Sequence, residues 1–297
     1  MSNVVAVATG QGFASALRND GKVVVWAFVS SGSLGSLEPV QIPLPSRASA
    51  VSGGYHYCVL LVDHTVWCWG LNLEGQLGDG TTNDSAVPVP VSGLTNAKSI
   101  AVGGNHSCAV LQDDTVKCWG HLQLQSQGGD GADYGPLPVT VPQLTGVASL
   151  GTGDHHVCAR LHDGHLRCWG RNYNGQLGDG TEIDAISPVE VLGVTESIAV
   201  AGGDANTCSL IQGGLVQCWG SNWSGALGAG VPDGHSTAVA VSGISNAVDL
   251  EANYSTSCAL LADGTVRCWG GGPRITVSKT RVTGPPSNSI GTPSNTR

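Results

Sequence analysis

The chain has 297 residues and a formal net charge of −9, and only 12% of its residues are charged, about half the roughly 25% of an average globular protein. This composition excludes a coiled coil and a charge-rich disordered chain. It also lacks the clustered cations that nucleic acid binding requires, and no apolar run approaches the ~18 residues of a membrane-spanning helix. With 44 glycines, the chain is typical of an all-β protein. We expect it to be a monomer and to have no nucleic acid partner.

The predicted elements recur along the chain with a period of 50 residues. The first is a strand over Val4–Ala8, and the clearest unit runs through Ala97–Val102, His106–Leu111, Thr115–Trp119 and Val139–Val141. Four short strands separated by turns are the content of one propeller blade. The sequence therefore predicts an all-β β-propeller of six blades, each a four-stranded antiparallel sheet. The six units are centred on Trp26, Trp69, Trp119, Trp169, Trp219 and Trp269.

Ten cysteines stand in pairs, ten residues apart, and each pair recurs after 50 residues. They are Cys58, Cys68, Cys108, Cys118, Cys158, Cys168, Cys208, Cys218, Cys258 and Cys268. Each pair brackets a hairpin, whose three-residue loop would set the two side chains opposite each other. The first unit has Ser15 and Val25 in place of the two cysteines. Both cysteines are thus absent together, as expected if the two residues of each pair form a disulfide. The competing interpretation, four-cysteine zinc sites, needs a CxxC-like spacing that is absent.

Five disulfides would imply an oxidising compartment, so we expect a secreted or otherwise extracytoplasmic protein. No signal peptide is present at Met1, and we therefore expect the chain to be a mature form or a fragment.

Both termini are expected to complete the last blade. In the other units, the first strand comes directly after the fourth strand of the preceding unit. The strand Val4–Ala8 has no such strand before it in the chain, and residues 275–277 or 280–283 can supply the missing partner. Such pairing closes the ring and removes exposed strand edges. Residues 1–283 are thus predicted to form a single propeller, and residues 284–297, rich in Pro, Ser and Asn, a loose tail.

Several motif elements recur together at fixed spacing. Residues 53–58 read GGYHYC, residues 66–70 read VWCWG, and Asn72 is followed by GQLGDGT at residues 75–81; the fourth unit repeats Trp169-Gly170, Asn172 and, at residues 175–181, GQLGDGT. Over residues 4–283 the chain resembles the regulator of chromosome condensation repeat family in its cysteine-paired bacterial form. We interpret the repeat tryptophans as wedges between blades and the Asn72-type residues as caps of loop backbone.

The resemblance extends to secreted propellers that inhibit β-lactamases, in which the segment before the second strand of each blade forms the partner-binding face. The resemblance thus implies an interaction surface here, near Tyr55, Asn105, Asn206 and Tyr254. The fold hosts unrelated activities, so this surface does not by itself fix a function. Our leading expectation is an extracytoplasmic propeller that binds a protein or other macromolecular ligand on one ring face.

Three consecutive units carry a histidine at the same position, before the second strand: His56, His106 and His156. Equivalent positions of a propeller lie on a ring around its axis, so these imidazoles are expected on neighbouring arcs of one face. Three imidazoles could hold Zn²⁺ or another divalent metal and leave a coordination position for water. Two other interpretations remain open: structural histidines that each bond their own blade, and a pH-responsive surface.

Carboxylates and a further histidine stand beside this column. Asp154, His155 or Asp204 could act as general base or supply a fourth ligand. The alternative function is therefore a metal-dependent hydrolase of esters, phosphoesters or phosphotriesters, with its three-histidine cluster at the channel mouth.

Overall fold

The structure, a computed structural model, describes residues 3–10, 13–27, 38–122 and 133–271. These residues form six antiparallel sheets arranged in a ring, the six-bladed β-propeller that the sequence predicts. Five sheets have four strands each, and the sixth has three strands within the described range. No helix among these residues is long and apolar enough to cross a bilayer.

The strands follow one another within each blade in chain order. Blade 1 contains β1 (Val4–Gly10), β2 (Phe13–Arg18), β3 (Val23–Ala27) and β4 (Val40–Gln41); blade 2 contains β5 (Ala48–Gly53), β6 (His56–Leu61), β7 (Val66–Gly70) and β8 (Ser85–Pro90); blade 3 contains β9 (Ala97–Val102), β10 (His106–Leu111), β11 (Val116–His121) and β12 (Asp133–Thr140). Blade 4 contains β13 (Val147–Thr152), β14 (His156–Leu161), β15 (Leu166–Gly170) and β16 (Ala185–Glu190); blade 5 contains β17 (Ser197–Gly202), β18 (Asn206–Ile211), β19 (Val216–Gly220) and β20 (His235–Ala240); blade 6 contains β21 (Ala247–Asn253), β22 (Thr256–Leu261) and β23 (Val266–Gly270). A short 3-10 turn covers Trp223–Gly225.

The central hairpin of blades 2 to 6 is held by the predicted disulfide. The two cysteines of each pair are directly opposite in the register, with Cα atoms 4.0–4.1 Å apart. The third residue of the hairpin loop has a positive φ: 83° at Gly164, but also 67° at His64 and 64° at Asp114. Two blades thus hold a non-glycine residue in the left-handed conformation that glycine adopts more readily.

The core consists of layers between neighbouring blades, and a tryptophan lies in each of the best buried layers. Trp119 packs with Leu60 and Leu77 of the preceding blade. Its indole nitrogen donates a 2.8 Å hydrogen bond to the Gln76 backbone carbonyl. Trp219 makes the same bond to Gln176, at 2.9 Å. The prediction that the repeat tryptophans fill wedges between blades is confirmed at these positions.

The N-terminal strand lies in the first blade rather than the last. β1 pairs with β2 along its whole length, from Val4 opposite Arg18 to Gly10 opposite Phe13. The residues expected to complete the last blade, 275–277 or 280–283, and the expected tail over 284–297 lie outside the described residues. The pairing of the two termini therefore stays a prediction, and deleting β1 would first remove the edge strand of blade 1.

Candidate functional site

Two sets of loops lie at the same end of the propeller. In each blade the first loop precedes the second strand and the second loop follows the third strand, and these two strand ends are paired, as His56 is with Gly70. We call this end the loop face. Its described loops are residues 54–55, 104–105, 154–155, 204–205 and 254–255 of the first set, and 71–84, 171–184 and 221–234 of the second.

The three predicted histidines do not reach the loop face, because all of them are completely buried between blades. The His56 imidazole Nε2 lies 2.5 Å from the Ser107 hydroxyl of the next blade, and His156 Nε2 lies 2.8 Å from the Thr207 hydroxyl. The Ser107 and Thr207 hydroxyls donate to the carbonyls of Gln76 and Gln176, so each imidazole N–H must be the donor to its hydroxyl. The expectation that each histidine bonds its own blade is wrong, since these bonds cross to the next one.

Burial also keeps the imidazoles neutral. It lowers the pKa of His56 and of His156 to about 3, and it holds the pKa of His106 well below its usual range. Each histidine borders a different blade boundary, and no group of three described His, Cys, Asp or Glu side chains is placed to hold a metal ion. The geometry therefore gives no support to a three-histidine metal centre at the channel mouth, nor to a pH-responsive surface built on these residues.

Four other side chains converge at the middle of the loop face, and we call them the central cluster: Tyr55, Asp154, Asp204 and Tyr254. The Tyr55 hydroxyl of blade 2 donates a 3.1 Å hydrogen bond to Asp154 Oδ2 of blade 4, reaching across blade 3. Burial, and then the nearby Asp204 carboxylate, raise the pKa of Asp154 to about 6. Burial, and then the Asp154 charge, raise the pKa of Tyr55, and the neighbouring Tyr254 phenol adds to this. The sequence placed all four on one face, and the structure brings them together.

The remaining predicted residues of this face differ in exposure. His155 lies partly buried beside the cluster, where burial, and then the charge of Arg171, lower its pKa. Asn105 is also partly buried at the loop tip. Asn206 is only 2% exposed, and its amide nitrogen has no partner among the described residues. Asn206 therefore belongs to the layer between blades, and its role in ligand contact stays a prediction that this burial does not support.

Backbone hydrogen bonds between blades fix the loops of the central cluster. The Asp154 amide donates to the Gly203 carbonyl at 3.3 Å, and the Asp204 amide donates to the Tyr254 carbonyl at 3.0 Å. Tyr254 itself has a φ of 47°, a left-handed conformation that is rare and costly for a bulky side chain. Such outliers persist where the surrounding structure enforces them, often at binding sites.

Around the cluster, three large side chains project into solvent at equivalent positions of blades 2, 4 and 5. We call them the apolar arc: Leu73 is 74% exposed, Tyr173 is 47% exposed and Trp223 is 79% exposed. Sequence analysis missed them, although a signal was present, since each directly follows one of the repeat asparagines Asn72, Asn172 and Asn222.

The asparagines hold the loops that carry the apolar arc. The Asn72 side-chain oxygen accepts the Leu77 amide at 2.9 Å, and its side-chain nitrogen donates to the Thr81 and Asn83 carbonyls at 3.1 and 2.9 Å. Asn172 repeats this set of bonds in blade 4. The prediction that these residues cap loop backbone is confirmed. The arc is therefore presented on pinned loops.

Charge is distributed unevenly between the two ends of the propeller. The described loops of the loop face carry nine carboxylates and a single cationic side chain, Arg171. The carboxylates are Glu74, Asp79, Asp84, Asp154, Asp179, Glu182, Asp184, Asp204 and Asp233. The other eight described Lys and Arg residues lie on strands, in hairpin turns or in connections between blades. The described loops of the loop face are thus acidic.

Comparison with known proteins agrees with the architecture. At the level of structure, human WBSCR16 aligns with a TM-score of 0.74 and 20% identity, over 87% of this chain and 72% of that one. Prp20p from Saccharomyces cerevisiae aligns with a TM-score of 0.73 and 22% identity, over 93% of this chain and 69% of that one. At these identities the similarity establishes the propeller fold alone.

Sequence comparison identifies the repeat. The E3 ubiquitin-protein ligase HERC2 of Homo sapiens is 35% identical over 104 residues, which are 32% of this chain and 2% of that protein. The mitochondrial RCC1 domain-containing protein RUG3 of Arabidopsis thaliana is 29% identical over 108 residues, 33% of this chain and 24% of that protein. The chain thus spans a small part of either relative.

Two family profiles described as Regulator of chromosome condensation (RCC1) repeat match the chain, one over residues 63–110 and 163–210, the other over 48–76, 147–176 and 247–273. Together they cover more than half of the sequence, and the chain therefore belongs to the RCC1 repeat family.

Proposed function

We propose that this propeller binds a protein partner through the loop face. The observation that carries the proposal is the apolar arc, whose three large side chains are exposed at equivalent positions around the central cluster. A tryptophan exposed to 79% adds nothing to the core that a polar residue would not. Tryptophan and tyrosine are enriched among the residues that dominate binding energy in protein interfaces.

The loops of this face are suited to binding because they are already ordered. Asn72 and Asn172 pin the loops that carry Leu73 and Tyr173. Asn222 bonds to the Leu227 amide at 3.0 Å in the loop that carries Trp223. Ordering loops upon association costs free energy, and a preformed surface avoids that cost.

A structural neighbour shows that this fold can serve binding. The structure of Prp20p is described together with its binding to Gsp1p and histones, and a separate structure has Kap60 bound to Prp20. For the present chain we extend only the general role, protein binding. The five disulfides further support an oxidising, extracytoplasmic compartment, since such bonds are rare in the cytosol.

Site-specific photo-crosslinking tests the proposal. A benzophenone amino acid is introduced at position 73, 173 or 223, and separately at Leu215, which is 51% exposed at the opposite end of blade 5. After irradiation in the source organism's culture medium or extract, we expect the three loop-face positions to yield the same protein adduct and position 215 to yield none. Equal labelling from all four positions, or labelling from position 215 alone, would overturn the proposal.

A further inference from the structure

We propose that the partner inserts an arginine or lysine side chain into the central cluster, with apolar residues beside it resting on the apolar arc. This inference rests on the proposed function and specifies the chemistry of the partner. It is carried by three features of the loop face: the sign of its charge, the arrangement of Asp154 and Asp204, and the absence of a neutralising cation among the described loops.

The charge of the described loops favours a basic partner. Nine carboxylates and one arginine in the described loops produce a negative potential over this end of the ring. Complementary potentials accelerate encounter and suppress partners of the wrong charge. An acidic or a nucleic acid surface would be repelled here.

The cluster itself offers two neighbouring carboxylates, and its setting disfavours the charge of Asp154. Asp154 is partly buried and lies near Asp204, whose negative charge opposes the ionisation of Asp154. A cation placed between them would remove this repulsion, and hydrogen bonds between a guanidinium and a carboxylate are among the strong ones in proteins. Tyr55 occupies one oxygen of Asp154, and the rings of Tyr55 and Tyr254 provide faces that attract cations.

The chain does not supply this cation from its own described loops. Arg171 is the single Lys or Arg of those loops, and its guanidinium lies over the Tyr173 ring, 4.4 Å from the centroid. Among the described residues, no Lys or Arg forms an ion pair with Asp154 or Asp204. The left-handed conformation of Tyr254 is consistent with a loop that is held in place for such contact at some cost in stability.

Titration with short peptides tests the inference without a known partner. The full chain, labelled with ¹⁵N, is titrated with acetyl-Leu-Arg-Leu-amide and with the same peptide containing citrulline, which keeps the shape of arginine but lacks its charge. We expect saturable shifts of the amides at residues 54–55, 154–155, 204–205 and 254–255, and affinity at least fivefold higher for the arginine peptide. Equal affinities, or shifts spread over both ends of the propeller, would overturn the inference.

Charge-neutral variants provide the second arm. The double variant Asp154→Asn and Asp204→Asn should lower the affinity for the arginine peptide at least tenfold, since the amide keeps the shape of each side chain. Asp163→Asn, in a hairpin turn at the opposite end, is the matched control and should change nothing. Unchanged affinity in the double variant, with a melting temperature no lower than that of the wild type and with its disulfides intact, would contradict the inference. So would shifts of the same amides by calcium chloride but not by the peptide.

The two proposals can fail separately. If photo-crosslinking at position 223 captures a partner while the arginine peptide does not bind the central cluster, the loop face is an interface and the inserted cation is wrong. If the peptide binds and no adduct forms at the loop-face positions, the cluster binds cations and the protein-binding function is wrong. Trp223→Ala should weaken a partner that rests on the apolar arc.

Discussion

The His56 imidazole and the Ser107 hydroxyl form a 2.5 Å hydrogen bond across the boundary between blades 2 and 3. His156 and Thr207 repeat it between blades 4 and 5. At the intervening boundary, Val157 occupies the position equivalent to Ser107 and Thr207. Both ring nitrogens of the buried His106 are accordingly without a partner in the described structure. The same repeat residue thus has one bonded ring nitrogen, Nε2, in two blades and none in a third, because of one residue in the next blade.

Ser107→Val should leave His56 without a hydrogen-bond partner at its ring nitrogens, as His106 is now. A buried polar group left without its partner costs about 1–3 kcal/mol, so we expect the free energy of unfolding to fall by about that amount. The Gln76 carbonyl would lose the Ser107 hydroxyl but would still accept the hydrogen bond of the Trp119 indole. Only the histidine would therefore be left without a partner. Chemical denaturation under non-reducing conditions measures the fall in the free energy of unfolding. Val157→Thr, in contrast, would place a hydroxyl where it can bond to His106, whereas Val116→Thr buries a hydroxyl away from any histidine. We therefore expect Val157→Thr to lower the free energy of unfolding less than Val116→Thr does. Equal losses in the two variants would contradict the interpretation.

Asp154→Asn should stabilise the protein at neutral pH. The pKa of Asp154 rises from 3.8 to about 6 on folding, so the folded state binds this proton more tightly and the stability of the wild type falls as pH rises between those values. Above pH 7 the charged carboxylate costs about 3 kcal/mol, which the asparagine avoids while still accepting the Tyr55 hydroxyl. We expect a higher melting temperature than wild type at pH 7.5 and little difference near pH 3.5. Asp163→Asn is the control, and a difference independent of pH would argue against this origin.

Two tryptophans only four residues apart should behave in opposite ways. Trp219 is completely buried and bonded to the Gln176 carbonyl, so Trp219→Ala should cost about 3–5 kcal/mol of unfolding free energy. Trp223 is exposed, and Trp223→Ala should change stability by less than about 0.5 kcal/mol. Denaturation curves of the two variants check this directly. A large loss for Trp223→Ala would mean that it serves the fold rather than a partner.

The disulfide of blade 6 should be reduced before the other four. The cysteines of blades 2 to 5 are at most 1% exposed, whereas Cys258 and Cys268 are partly exposed. The neighbouring Leu260 shows the same difference, since it is 37% exposed and the equivalent Leu60 of blade 2 is 5% exposed. Reduction requires a thiolate to reach a sulfur atom, so access sets the order. Brief treatment of the folded protein with a mild thiol, followed by alkylation and peptide mapping, should label Cys258 and Cys268 first. Simultaneous labelling of all five pairs would contradict this expectation.

The sequence by itself determined the repeat and everything that depends on position within it. The 50-residue period, the cysteine pairs and the Trp column predicted six blades and five hairpin disulfides, because a repeated unit must meet the same neighbours in each copy. The loop cap at Asn72 followed from the same regularity. Even the grouping of Tyr55, Asp154, Asp204 and Tyr254 on one face required only that their loops precede the second strand of each blade.

The tertiary structure decided which way each side chain points and what lies opposite it in the next blade. His56 and Tyr55 are adjacent in the chain, yet the first is sealed against Ser107 and the second reaches Asp154 at the surface. His56 begins strand β6 whereas Tyr55 belongs to the loop before it, and whether a side chain meets a blade boundary or solvent depends on residues 50 to 100 positions away. For that reason the sequence predicted a functional site at His56, His106 and His156, and the structure places these residues in the core. The apolar arc was not predicted, because only the structure shows that its side chains are exposed.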